Sequence, residues 1–400
     1  MAACHRGDPD GGRTVEVAHS WTSGGEARAV GSLAQSFDAA GGHWKNFSVA
    51  GFQNTYALVL NRFAGGVPPG AAQFIAGPEA RDLATHGMLL DLDQLALRDR
   101  WRARLSPDLM DAISADGHVY EVPLNIHVNN WLYVSRKALN AVGMKQAPAD
   151  WPGFFAMLDR FRSAGIVPLA QGGQVWQEQI LFDTVLLSKG GRDLYLRIYR
   201  DRDANAVRSP AFREVARTFA RLRRYADPGS PGRNWNDATA MVIDGRAGVQ
   251  IIGDWAASEL RRSGLNAPDD YLCVMGPQDA GAIVSSDVFV FPKSRRVDAG
   301  QQRLLADVVT RPAAQTAFSG YLGSLPAFAP SPAGEGLSWC DQAAWRAATT
   351  PGRSVPYVTS LLPPDVLGDL NDVVGNFWSG NELDPDKFVE RFASALETAT

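Results

Sequence analysis

Cysteine is scarce in this chain: Cys4, Cys273 and Cys340 are the only three among 400 residues. No Cys-x-x-Cys pair and no cysteine–histidine cluster occurs, so the sequence encodes no structural zinc site, and no metal or cofactor is expected. The six histidines, His5, His19, His43, His86, His118 and His127, are dispersed in the same way. None belongs to a His-Glu-x-x-His helix, and no Gly-x-Ser-x-Gly elbow is present, so the usual marks of zinc peptidases and α/β-hydrolases are missing. Surplus positive charge is missing too. Lys and Arg total 39 against 43 Asp and Glu, a formal net charge of -4. No basic stripe carries interleaved aromatics, so nucleic acid is not an expected partner. No apolar run reaches the roughly 18–20 residues that a membrane-crossing helix needs.

What the chain does have is length, tryptophan and glycine–proline punctuation. Its 400 residues exceed what one hydrophobic core usually organises, which predicts two lobes. With 45% hydrophobic and 20% charged residues, it is composed like an ordinary globular protein. Eleven tryptophans are many for this length, and the flat face of an indole suits the apolar C–H faces of sugar rings as well as a core. Residues 1–13, rich in Gly, Asp and Arg, read as a flexible leader. Within it, Ala2-Ala3-Cys4 looks like the tail of a bacterial lipoprotein cleavage box. Cys4 is then either a lipid-bearing residue left after signal-peptide removal or an incidental thiol.

Helix and strand signals alternate along the rest. Thr14-Val-Glu-Val-Ala-His19 alternates like a strand, and Ser20-Trp-Thr-Ser-Gly-Gly-Glu26 is a polar turn. A helix with Val30, Leu33, Ala34 and Phe37 on one face follows. That turn lies at the C-terminal end of a strand, where α/β folds place ligands. It is neither Gly-x-Gly-x-x-Gly nor a P-loop, so no nucleotide is indicated. Ala71–Ile75 and His118–Ile126 read as extended. Trp151–Ala164 and the segment opened by Ser209-Pro210 read as amphipathic helices, the second capped by Ser209. Val249–Trp255 is a buried strand running into a polar loop, and Ser285–Phe291 alternates. Gly323–Gly336 reads as a crossing between elements, and the chain is helical again from Asp365.

An aromatic beside hydrogen-bonding side chains recurs in loops after strands: Trp21 near Glu26, His127 near Asn130, Trp176 between Gln174 and Gln177, Trp235 between Asn234 and Asn236, and Trp255 after Asp254. Sugar recognition needs this mixture, rings against ring faces and amides or carboxylates against hydroxyls. Taken singly, each tryptophan is more often core than ligand wall. Trp101, Trp151, Trp339 and Trp345 lack the polar company and read as structural.

Several segments together carry a resemblance: Trp-Thr-Ser-Gly-Gly-Glu (21–26), Val-Pro-Leu-Asn-Ile-His (122–127), Gly-Gly-Gln-Val-Trp-Gln (172–177), Gly-Arg-Asn-Trp (232–235), Ile-Asp-Gly-Arg-Ala-Gly (243–248) and Ile-Gly-Asp-Trp (252–255). Over residues 14 to 400 the chain resembles the periplasmic glucose/mannose-type sugar-binding proteins of bacterial ABC importers, the broader group of maltose-binding protein. The resemblance implies a two-lobed α/β periplasmic-binding-protein fold, each lobe a mixed sheet flanked by helices, joined by a multi-strand hinge. It implies a first lobe of residues 14–124 and 282–326 and a second of 125–281 and 327–400. It implies a carbohydrate or glycoside held between the lobes, delivery to an ABC permease, a periplasmic location with any membrane link through Cys4, and no catalysis. Trp21, Trp176, Trp235 and Trp255 would be wall residues. Glu26, His127, Gln177, Asp254 and Asp287 would be hydroxyl partners, with Gln73 beside them. Cys273 and Cys340 would form the family's disulfide.

Where glucose binders of that family carry a second tryptophan and two lysines, this chain has Ser20, Ala76 and Leu322. Their C-terminal histidine has no counterpart after His127. Each lost charged hydrogen bond is worth about 1.5–3 kcal/mol, so glucose is expected to bind weakly and a larger or different glycoside better, unless Gln53, Asn54, Gln73 or Tyr357 compensates. Two other classes would use similar residues: a glycoside hydrolase, which needs two acids roughly 5–10 Å apart, and a ligand-sensing lipoprotein adaptor.

Overall fold

The computed structural model describes residues 13–278, 280–295, 297–328, 337–380 and 383–397. Residues 1–12 of the expected leader, Cys4 among them, lie outside this range. The chain forms two compact α/β units, one running to Ile126 and resuming at Ser286, the other from His127 to Ser285 and including the C-terminal helices.

The first unit is built on a five-stranded sheet in the order His43–Ser48, Thr14–His19, Ala71–Ile75, Asp287–Val290, Glu121–Pro123. The first three strands are parallel, and Asp287–Val290 runs antiparallel to both of its neighbours. Val15, Val17, Ala71, Ala72, Phe74, Val288 and Phe289 are wholly buried, as continuous apolar strands covered on both faces must be. Helix Gly24–Ala39 closes one face by packing against helix Pro312–Leu322, with Ala29, Val30, Leu33 and Phe37 turned inward.

The second unit has a four-stranded sheet in the order Tyr271–Met275, Trp131–Ser135, Ala247–Ile252, Val167–Leu169. Its helices carry an extensive apolar core. In Pro210–Arg223, Phe212, Val215, Ala216, Phe219 and Leu222 recur every three or four residues and are buried. Ser209 caps this helix, accepting the Phe212 N–H at 3.3 Å. Phe182, Phe212, Phe219, Phe388 and Phe392 then interlock, with ring centroids 5.1–6.3 Å apart. Helix Val175–Val185 continues through a π-helical turn, Leu186–Gly190, which nothing in its sequence signalled. Cys273 and Cys340 are disulfide-bonded, their Cα atoms 5.8 Å apart. Among the described residues no helix is long and apolar enough to cross a membrane.

The segment expected as one strand, Ser285–Phe291, is two. Ser286 interrupts it, and Ala282–Ser285 pairs with Asn125–Val128 and Ser354–Pro356 while Asp287–Val290 joins the first sheet. Residues 282–285, expected in the first lobe, therefore group with the second unit. Asn125 and Ile126, expected in the second lobe, group with the first, because they pair with Pro326 and Leu325.

Candidate functional site

The sequence-predicted residues fall into two clusters, one in each unit. In the first, strand Thr14–His19 ends in His19, Ser20 and Trp21, and the next helix begins at Gly24. Glu26 sits in the first turn of that helix and folds back, accepting the N–H groups of Ser23 at 3.0 Å and Thr22 at 3.2 Å. Burial pushes the Glu26 carboxyl upward, as does the negative charge of Asp287, while these N–H bonds pull it down.

Asp287 opens its strand with its carboxylate occupied by amides. Gln73 Nε2 donates to one oxygen at 3.0 Å and Asn125 Nδ2 to the other at 2.9 Å. The Asp287 N–H donates in return to Asn125 Oδ1 at 2.9 Å. Gln73 is itself braced, its Oε1 accepting both the N–H and the hydroxyl of Ser20 at 2.8 and 3.0 Å. Ser20, standing where glucose binders carry a tryptophan, is thus the start of a chain Ser20–Gln73–Asp287–Asn125. Ala76 and Leu322, each 1% exposed, present no polar atom beyond the backbone.

Trp21, the aromatic expected beside them, is buried. It is 4% exposed, edge-on to Phe289 and Phe318 at 5.9 and 5.3 Å, and stacked on His19 at 5.5 Å. In this structure these neighbours cover the ring that the sequence suggested as a wall residue.

In the second unit, His127 and Asp254 are brought together across 127 positions of sequence. His127 Nδ1 bonds Asp254 Oδ1, and the other carboxylate oxygen accepts the Val128 N–H at 2.8 Å. The Asp254 N–H returns a bond to the Val128 carbonyl at 3.0 Å, so the strand end and the loop are clasped. Both side chains are buried. Each oxygen of Asp254, expected to meet ligand hydroxyls, thus has one partner within the protein.

Trp255 stands edge-on to the His127 ring at 5.2 Å, and Trp176 lies 6.0 Å from Trp255. Both indoles are half-buried, as is Trp235 at the start of helix Trp235–Ile243. Gln177 is buried, donating to Gln174 Oε1 at 2.9 Å. Three glycines permit this packing: a Cβ on Gly172 would strike the Gln177 amide, one on Gly173 the backbone at Ser230–Gly232, and one on Gly253 the Trp255 ring.

Sequence reasoning missed Asn125 and Ser20 as partners. Their polar side chains gave no local signal, since each acts on a residue far away in sequence. Among the described residues, no three His, Cys, Asp or Glu side chains gather where they could hold a metal ion.

Each of the two α/β units carries a cluster of rings and hydrogen-bonding side chains at its strand ends. Residues 46–316 match the model of the bacterial extracellular solute-binding protein family, and the chain belongs to that family. A relative from Brucella suis biovar 1, named "Probable sugar-binding periplasmic protein", is 38% identical over 318 residues, 79% of this chain and 75% of that one. One of the same name from Rhizobium meliloti is 33% identical over 393 residues, 96% and 94% of the two chains. A solved chitin oligosaccharide binding protein superposes with a TM-score of 0.83 at 18% identity, covering 96% of this chain and 98% of that one. A bacterial solute receptor described as preferring β-D-galactopyranose does so at 0.79 and 18%, with the same coverage.

Proposed function

We propose that this protein is the extracytoplasmic receptor of a bacterial ABC importer, that it captures a carbohydrate or glycoside, and that it hands the ligand to the importer's permease in the periplasm or at the outer face of the cytoplasmic membrane. The observation that carries the sugar reading is the second-unit cluster, where half-buried Trp255 stands beside buried His127 and half-buried Trp176, next to buried Gln177 in the chain. Indole faces suit sugar C–H surfaces and the polar groups suit hydroxyls. The names of the two relatives above support the same class and location. In this reading the protein binds the ligand and performs no chemistry on it.

A thermal-shift panel of glucose, galactose, tagatose, maltose, raffinose, chitobiose and xylobiose tests this. A ligand that binds only the folded state raises the melting temperature. At least one glycoside is expected to do so, and a flat response across the panel from well-folded protein overturns the carbohydrate reading. Glucose itself is expected to bind weakly, because Ala76 and Leu322 offer no side-chain donor and Ser20 is engaged with Gln73. Micromolar or tighter affinity in a glucose titration counts against that part.

A further inference from the structure

We infer that the ion pair of Asp227 and Arg233 latches the loop 227–234 of the second unit, and that Arg233 is a positioning residue: it seats the turn 171–174 and the side chain of Gln177, so that affinity for the ligand depends on it. The affinity half rests on the carbohydrate binding proposed above; the latch itself does not.

The loop has little else to hold it. Its sequence, Asp-Pro-Gly-Ser-Pro-Gly-Arg-Asn (227–234), brings no large apolar side chain to anchor it in the core. Its two ends are fixed from outside. Ala226 bridges to Leu169, and Gln250 Nε2 donates to the Trp235 carbonyl at 3.0 Å. Between those anchors the Arg233 guanidinium meets the Asp227 carboxylate with both prongs of its fork, Nη1 to Oδ1 at 2.7 Å and Nη2 to Oδ2 at 2.5 Å. The pair closes the loop on itself. Its side chains are only 13% and 19% exposed, so solvent screens it less than a surface pair. Gly229 makes the room: a Cβ there would stand 2.9 Å from Arg233 Nη2 and 3.0 Å from Asp227 Oδ2.

The same arginine reaches out of the loop. Its Nη1 also donates to the Gln171 carbonyl at 3.1 Å. Its own carbonyl accepts the Gly173 N–H at 3.0 Å and Gln177 Nε2 at 3.5 Å. Among the described residues, every hydrogen bond between the loop and residues 171–177 passes through Arg233. The two backbones lie close: a Cβ on Gly173 would come within 2.3 Å of the Gly232 nitrogen and 2.4 Å of the Ser230 oxygen. A loop freed from the latch leaves this position part of the time. The turn then loses its three bonds, Gln177 loses an anchor, and Trp235, two residues beyond Arg233, loses its fixed approach. Ordering these groups would have to occur at binding, which lowers affinity. Lysine at 233 keeps the charge but not the fork, since one ammonium cannot span both carboxylate oxygens and the Gln171 carbonyl.

The test compares the parent with Arg233→Lys, Asp227→Asn and the double variant, all as the full chain. Amide hydrogen exchange of the ligand-free proteins is read by mass spectrometry on a peptide spanning residues 170–177. In Arg233→Lys this peptide is expected to exchange about tenfold faster or more, while strand Ala247–Ile252 is unchanged. Affinity for the panel sugar giving the largest thermal shift is expected to fall about tenfold or more. The double variant is expected to bind no more weakly than Arg233→Lys alone, because the two residues act as one pair. Unchanged exchange in 170–177 overturns the latch. Faster exchange in the strand as well also overturns it, because the pair would then support the whole unit. Faster exchange in 170–177 alone, with affinity kept within about twofold, leaves the latch and overturns its hold on the ligand. If no panel sugar shifts the parent, the carbohydrate reading fails, while the exchange comparison still decides the latch. Asp227→Asn leaves the guanidinium one acceptor and gives the same comparison at smaller amplitude should Arg233→Lys fold poorly.

Discussion

The two clusters solve the same problem with different materials. In the first unit a carboxylate is tied by side-chain amides, Gln73 and Asn125, and the nearby indole, Trp21, is buried against Phe289 and Phe318. In the second unit the carboxylate is tied to an imidazole and a backbone N–H, and the indoles of Trp176 and Trp255 remain half-buried. The same local pattern, an aromatic beside a carboxylate after a strand, therefore yields a braced polar floor in one unit and ring surfaces in the other. What decides between them is how much apolar surface the neighbouring elements bring to the indole.

The largest effect is expected where the contrast is sharpest. Trp21→Ala removes a covered ring and should cost about 3–5 kcal/mol of stability, read by denaturant unfolding. Trp255→Ala removes a ring that is only partly covered, and should cost less stability. It should instead lower affinity for the best sugar of the panel about 10- to 100-fold, read by calorimetry. If Trp21→Ala leaves stability intact and abolishes binding, the contrast is reversed and Trp21 is the wall.

The next effect lies deeper in the second unit. Asp183 is wholly buried, accepting Tyr199 Oη at 2.5 Å and Gln179 Nε2 at 2.8 Å on one oxygen, while its other oxygen has no partner among the described residues. Burial pushes its carboxyl from 3.8 to about 7, with the two bonds pulling weakly the other way; the tyrosines Tyr195 and Tyr357 also face it. Between those values the folded state holds a proton that the unfolded chain has released. Stability therefore falls as pH rises through this window and is lowest above it. Asp183→Asn keeps an acceptor for both donors and has no proton to lose. The variant should flatten the pH dependence and gain roughly 2–4 kcal/mol relative to the parent at pH 8. An unchanged slope between pH 5 and 8 would show that Asp183 is not its source.

Much of the fold was legible because it rests on local signals. The alternation in Thr14–His19, the Ser209 cap and the three-or-four spacing from Phe212 to Leu222 each needed only their own segment. The break at Ser286 was not legible, since an alternating heptapeptide carries no mark of being shared between two sheets. The candidate site residues follow the same division. The segments holding Glu26, His127 and Trp255 could be picked out from their neighbours. Their roles could not, because Asp254 finds its partner 127 positions away and Gln73 finds Asp287 across 214.

The smallest effect tests the floor of the first cluster. Ser20 gives Gln73 two bonds, one from its N–H and one from its hydroxyl. Ser20→Ala keeps the first and loses the second, and Gln73 remains held by Asp287. The loss of one partly buried neutral hydrogen bond predicts a stability decrease of about 0.5–1.5 kcal/mol. If the hydroxyl only braces Gln73, affinity for the best sugar should stay within about twofold, since the amide keeps its other anchor. A variant of unchanged stability that binds tenfold more weakly would mean that Ser20 turns its hydroxyl to the ligand. The first cluster would then be an open recognition surface like the second, and the distinction between floor and wall would fail at its first residue.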